Sequence, residues 1–237
     1  MNLLLISNST LHGSGYLDHC AGEIKDFLGD GIKKVTFVPF ARPGGISHDQ
    51  YTAKARERYK EMGYDLISVH ETSDPKQAIR DAEAVFIGGG NSFVLLHDLQ
   101  SSGLIPEIRK KAEEGMPYIG TSAGSNVACP SIKTTNDMPI HEVENFEALD
   151  LVPFQINPHY LDPDPDSTHK GETRETRIRE FLVFNDKVVV GLREGCMVRI
   201  NGNERLLKGS TNARVFRRGK EPEEFKPVCS LDFLFLI

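Results

Sequence analysis

The sequence predicts an α/β domain with a mainly parallel sheet flanked by helices and antiparallel edge strands near the C-terminus. Three observations carry this expectation. Short apolar runs of strand length alternate with amphipathic segments over the first two thirds of the chain, which implies crossover connections between parallel strands. The last third gives up that alternation for apolar runs separated by turn signals. A length of 237 residues suffices for one substantial core, so a single domain over 1–237 is expected.

The expected strands are Leu3 to Ile6, Val35 to Phe40, Leu66 to Val69, Ala84 to Ile87, Tyr118 to Ile119 and Phe154 to Ile156, each an apolar run too short for a helix. Between them, helical spacing of apolar residues marks Tyr16 to Leu28, His48 to Met62, Pro75 to Ala82, Phe93 to Leu99 and Ile105 to Glu114. A further helix is expected over Glu172 to Phe184, with Arg177, Arg179 and Glu180 on its wet face. The strand Val188 to Val190 follows, and the Asn201-Gly202 step between apolar segments is a hairpin signal that adds antiparallel strands at the sheet edge. The terminal apolar run, Leu231 to Ile237, is read with those strands, and the proline-broken Asp162 to Ser167 as a surface loop bordering a site.

Composition narrows the function classes. A net charge of -6 without any basic run leaves nucleic acid and anionic membranes without an electrostatic footprint. No window approaches the length of a membrane span, and the N-terminal apolar stretch lacks a basic flank, so a cytoplasmic protein is expected. Cys20, Cys129, Cys196 and Cys229 lie far apart without a C-x-x-C pair and read as reduced, mostly buried thiols rather than metal ligands. No cofactor is expected.

The segment MPYIGTSAGSN raises the question of chemistry. Gly120, Ser122 and Gly124 form G-x-S-x-G between a strand and a helix start, the setting in which a strained turn lifts a nucleophilic serine into solvent. Such a hydroxyl needs a base, and histidine has the suitable pKa. Of eight histidines, His159 in FQINPHY directly follows a short strand, and functional groups of parallel α/β sheets gather beyond the carboxyl ends of strands. Two carboxylates compete to orient its ring: Asp137 in TTNDMPI, soon after the serine helix, and Glu194 in GLREG, just past a strand. Ala123 supplies one oxyanion donor as the residue after the nucleophile, and Gly89 and Gly90 in FIGGGNS supply others, because glycines after a strand leave N–H groups exposed. The same glycines lack the spacing of a dinucleotide or P-loop fingerprint.

Taken together, IGGGNSF, GTSAGSNVA, TTNDMPI, NPHY and KGETRETRI resemble peptidase E, the aspartyl dipeptidase family, over nearly the whole chain. The resemblance implies a variant of the class I glutamine amidotransferase-like fold, a metal-free cytoplasmic enzyme, and hydrolysis of small peptides of the form Asp-Xaa by Ser122 and His159. For the third member it implies either Glu194 or Asp137. Ser122 stands where amidotransferases have cysteine, and Leu161 stands where they have glutamate, which argues against ammonia production. Recognition of aspartate calls for a cation, since an unpaired buried carboxylate costs several kcal/mol. Arg174 is the first candidate and Lys170 the second; Asn91 is assigned to the substrate's polar groups and Glu172 to its amine. A monomer or homodimer is expected. The competing functions are a cyanophycinase-like hydrolase of β-aspartyl-arginine and a non-catalytic ligand-binding domain on the same scaffold.

Overall fold

Strand β1 (Asn2–Ile6) shows how the layers arise, because alternate residues of a strand point to opposite faces. Leu3 and Leu5 join one buried cluster with Ile79, Leu95 and Ile108, while Leu4 and Ile6 join another with Ile24, Ala55 and Tyr59. The computed structural model describes residues 1–236 except 165, 167, 169 and 170, so Lys170 lies outside the described residues.

After β1 come α1 (Ala21–Leu28), β2 (Lys34–Val38), α2 (His48–Met62), β3 (Asp65–Ser68), α3 (Pro75–Arg80), β4 (Ala84–Ile87), α4 (Ser92–Ser101), α5 (Leu104–Glu113), β5 (Tyr118–Thr121) and α6 (Ala123–Asn126). Helices α1 and α2 cover one sheet face, and α3, α4 and α5 cover the other. Local chemistry sets their ends. Ser47 and Gln50 form a capping box at the start of α2, which stops at Gly63 with φ 96°. Asp74 caps α3, whose first residue is Pro75.

The remaining elements are β6 (Gln155–Pro158), α7 (Arg174–Phe184), β7 (Val189–Leu192), β8 (Cys196–Asn201), β9 (Glu204–Gly209), β10 (Ala213–Phe216) and β11 (Glu223–Phe225). The main sheet has seven strands in the order β3-β2-β4-β5-β1-β8-β9. Its first five strands run parallel, and β8 and β9 add an antiparallel edge through the Asn201-Gly202 turn.

Three expectations need correction. The strands near Phe154 and Val188 do not extend the main sheet: β6 and β7 pair with each other in a second, four-stranded sheet, β11-β10-β7-β6. Ile156, Val190, Leu192, Ala213 and Val215 pack into the same cluster as Leu3 and Leu5, while Val189 and Phe216 face Ile178 and Leu182 of α7. Strands β6, β7 and β10 are therefore buried on both sides, which is why they read like main-sheet strands in sequence. The helix expected from Tyr16 begins at Ala21, because Leu17 adopts φ 59° and only a 3-10 turn covers Asp18–Cys20. The run from Leu231 forms a 3-10 turn, Asp232–Phe235, with Leu231 and Leu234 buried three residues apart, a helical rather than a strand period.

Candidate active site

Ser122 separates β5 from α6 with φ 53° and ψ -110°, a conformation that side chains other than glycine rarely adopt. The glycines of the motif make this possible by close approach. A Cβ at Gly120 would stand 2.5 Å from Gly124 O, and one at Gly124 would stand 2.2 Å from Ile87 O. Hydrogen bonds then fix the turn: Ser122 N donates to Ile6 O at 3.0 Å, Asn126 N to Ser122 O at 2.9 Å, and Ser125 Oγ to Gly120 O at 2.8 Å. Helix α6 is only four residues long, so its individual N–H groups rather than a macrodipole are available to an anion.

His159 follows Pro158, the last residue of β6, and also has a positive φ, 52°. Its backbone N–H donates to Ser7 Oγ at 2.9 Å. Nδ1 lies 2.7 Å from Glu194 Oε1 and Nε2 lies 2.9 Å from Ser122 Oγ. An ionised carboxylate only accepts, so Nδ1 carries the proton and Nε2 is left to accept from the serine hydroxyl. Glu194 arrives two residues beyond β7, in register with His159 because Pro158 pairs with Leu192 across the parallel strands. Its turn is anchored by Gly195 N donating to Asn8 Oδ1 at 2.8 Å and by Thr211 Oγ1 donating to Glu194 O at 2.8 Å.

Asp137 meets different partners. Its Oδ2 accepts from Ser92 N at 2.7 Å and from Thr135 Oγ1 at 3.0 Å, leaving the ring of His159 to Glu194. Asn91 is the N-cap of α4: Oδ1 accepts from Phe93 N and Val94 N, and Nδ2 donates to Met138 O at 2.9 Å. Asn91 therefore caps α4, with one N–H of its amide tied to the Met138 carbonyl.

A cavity of about 340 Å³ opens over the serine, lined by Ser9, Arg42, Gly89, Gly90, Ser122, Thr135, Asn136, Asp137, Pro158, His159 and Arg174. Gly89 is pressed against Ser122, since a Cβ there would stand 2.9 Å from Ser122 Cβ. Within the described residues, the N–H groups of Gly89, Gly90 and Ala123 make no internal hydrogen bond. Arg174 is half-buried at the start of α7. Burial, then the neighbouring Arg177, holds its pKa below the ordinary arginine value, with Asp137 and Glu194 opposing the shift. Among the described residues it has no carboxylate within 4.0 Å. No group of three or more described His, Cys, Asp or Glu side chains is arranged to hold a metal.

A family model described as Peptidase family S51 matches residues 3–207. The chain belongs to peptidase family S51. Among its relatives, a "Peptidase E" of Streptomyces coelicolor is 54% identical, spanning 94% of this chain and 90% of that protein. A protein of Drosophila melanogaster named "Probable alpha-aspartyl dipeptidase" is 48% identical over 98% of this chain and 97% of its own length. The fold recurs in two solved structures of low identity. A peptidase E protein from Listeria monocytogenes has TM-score 0.66 and 22% identity, covering 89% of this chain and 98% of that one. A peptidase from an acI-B1 Actinobacterium has TM-score 0.72 and 17% identity, covering 97% and 96%. The mostly parallel sheet flanked by helices is consistent with the class I glutamine amidotransferase-like arrangement that the motifs implied.

In this S51 chain, sequence reasoning missed Ser9, Arg42, Thr135 and Asn136. Arg42 had a readable signal, since it lies just past the carboxyl end of β2. Thr135 and Asn136 lie inside the TTNDMPI stretch, but no role could be read for them there: a contact such as Asn136 Nδ2 donating to Pro158 O at 2.7 Å exists only in the folded loop. The elbow itself is testable. Gly124→Ala drives a methyl into the Ile87 carbonyl and is expected to cost about 1–3 kcal/mol in urea unfolding and to depress peptidase activity as the serine shifts. Wild-type stability and rate would show that the close approach is not a constraint.

Proposed function

We propose that this chain is a serine exopeptidase that hydrolyses Asp-Xaa dipeptides through an acyl-enzyme. The observation that carries the reading is the hydrogen-bonded relay from Ser122 through His159 to Glu194, at 2.9 and 2.7 Å, in a cavity that Arg174 also lines. The names of the relatives, peptidase E and alpha-aspartyl dipeptidase, agree with it.

In this reading Ser122 Oγ attacks the carbonyl carbon of the N-terminal aspartate while His159 Nε2 takes the hydroxyl proton. Glu194 holds the ring's tautomer and stabilises the imidazolium. The N–H groups of Gly89, Gly90 and Ala123 are the candidate donors to the developing oxyanion. His159 then delivers its proton to the departing amine, and water repeats the sequence on the acyl-serine. Arg174 receives the substrate's β-carboxylate, a role supported by its half-buried guanidinium, which has no carboxylate within 4.0 Å among the described residues. The same reading assigns the enzyme to the cytoplasm, supported by four free cysteines that suit a reducing compartment. No helix among the described residues is long and apolar enough to cross a membrane.

Purified protein should release leucine from Asp-Leu and process β-Asp-Arg poorly. Ser122→Ala should lower kcat by at least about a thousandfold while leaving binding largely intact; retained turnover refutes the nucleophile. Glu194→Gln should lower kcat by about a hundredfold or more with KM nearly unchanged, because it acts through the imidazole. Asp137→Asn should act on KM instead, its carboxylate lining the cavity without touching the ring. The opposite pattern in steady-state kinetics would reverse the two assignments. For recognition, Arg174→Met should reduce kcat/KM for Asp-Leu by about a hundredfold and hurt the neutral isostere Asn-Leu far less. An unchanged preference for Asp over Asn would move the β-carboxylate receptor elsewhere.

A further inference from the structure

The cavity holds a second guanidinium that the reading above leaves without a task. Arg42 lines the same space as Ser122 and His159. Its Nε donates to Gly89 O at 3.1 Å, and its guanidinium carbon lies 5.3 Å from the centre of the Tyr51 ring. The head group is therefore fixed in place although the side chain is exposed. The Tyr51 hydroxyl is its other polar neighbour, and no carboxylate lies within 4.0 Å of it among the described residues. It stands on the glycine-loop lip, whereas Arg174 shares its surroundings with His159 and Glu194 on the other.

Charge bookkeeping gives the two arginines different ligands. The charged side chains lining the cavity are Arg42, Arg174 and Asp137. A dipeptide beginning with aspartate carries two carboxylates, one on each residue, and one ammonium group. The two carboxylates flank the scissile bond, which must lie at Ser122. Gly89, the residue Arg42 holds, is close enough that its Cβ would stand 2.9 Å from Ser122 Cβ. We propose, resting on the dipeptidase reading, that Arg42 receives the terminal carboxylate of the leaving residue and so limits the substrate to dipeptides. A longer peptide places an uncharged peptide group where that carboxylate would pair, and leaves the guanidinium unsatisfied.

The test compares Asp-Leu with its C-terminal amide. Arg42→Gln should lower kcat/KM for Asp-Leu by about tenfold or more, as loss of a charge-assisted bidentate pair does. It should lower the amide by less than about threefold, so that the acid-over-amide preference collapses. Equal losses on both substrates would overturn the proposal and reduce Arg42 to a support for the Gly89 carbonyl. A changed preference for Asp over Asn would overturn it too, making Arg42 the β-carboxylate receptor. Tyr51→Phe removes the other hydrogen bond to that carbonyl, at 3.2 Å, while keeping the ring beside the guanidinium, and should slow both substrates equally while keeping the acid preference. Calorimetric binding to the Ser122→Ala protein, with and without Arg42→Gln, reads the preference without turnover. Inactive wild type that still binds the acid over the amide through Arg42 fails the catalytic reading alone; no Arg42-dependent preference overturns this one.

Discussion

The positive φ of Ser122 is the constraint on which the rest of the site depends. A conformation of this kind costs on the order of 1–3 kcal/mol and persists only where its surroundings over-determine it. Here they do so by contact between backbones. Gly124 lies against the Ile87 carbonyl and Gly120 against Gly124, at distances that leave no room for a methyl group. The same closeness brings the end of β4, with Gly89 after it, against the serine. N–H groups without a partner among the described residues therefore stand beside Ser122 as a consequence of how the turn packs.

The second consequence is that two sheets must meet at their carboxyl ends. Ser122 leaves the main sheet, whereas His159 and Glu194 leave the smaller one after β6 and β7. Ser7, at the end of β1, ties them together: its hydroxyl donates to Leu192 O at 2.7 Å and accepts from His159 N at 2.9 Å. The imidazole is thus held through its backbone by one sheet and through its ring by the other. A shift of one sheet against the other would stretch the 2.9 Å contact to Ser122, so the shared core around Leu5, Ile156 and Leu192 also maintains the relay.

Charge pairing elsewhere makes the cavity distinctive. Arg193 grips Asp162 and Glu224, and these hydrogen bonds raise its pKa further above the usual value. Arg199 is held by Glu23 and Asp26, and Arg80 by Glu107. Arginines satisfied in this way hold the architecture, and substitution of a partner would leave a charge uncompensated. Arg174 and Arg42, at the mouth of the relay, have no such partner among the described residues, and an anionic ligand would supply the missing one.

The sequence by itself determined the alternating α/β plan, the serine on its glycine-flanked turn and the histidine after a strand. Each of these is written in local pattern: apolar period, glycine spacing, and position relative to a strand end. It also limited the orienting acid to Asp137 or Glu194 without choosing. Which of them lies against the ring is a matter of tertiary structure: the parallel pairing of β6 with β7 sets His159 beside Glu194, and Ser92 N and Thr135 Oγ1 occupy Asp137. The division into two sheets was hidden for a related reason: strands buried on both faces carry the same apolar runs whichever sheet they join. Asn91, read as a ligand, serves as a helix cap in the fold, and Arg42, readable only as a position past β2, is placed at the Gly89 carbonyl by the folded loop. Residue type and spacing specify what a side chain is able to do; partners far apart in the chain decide which of those things it does.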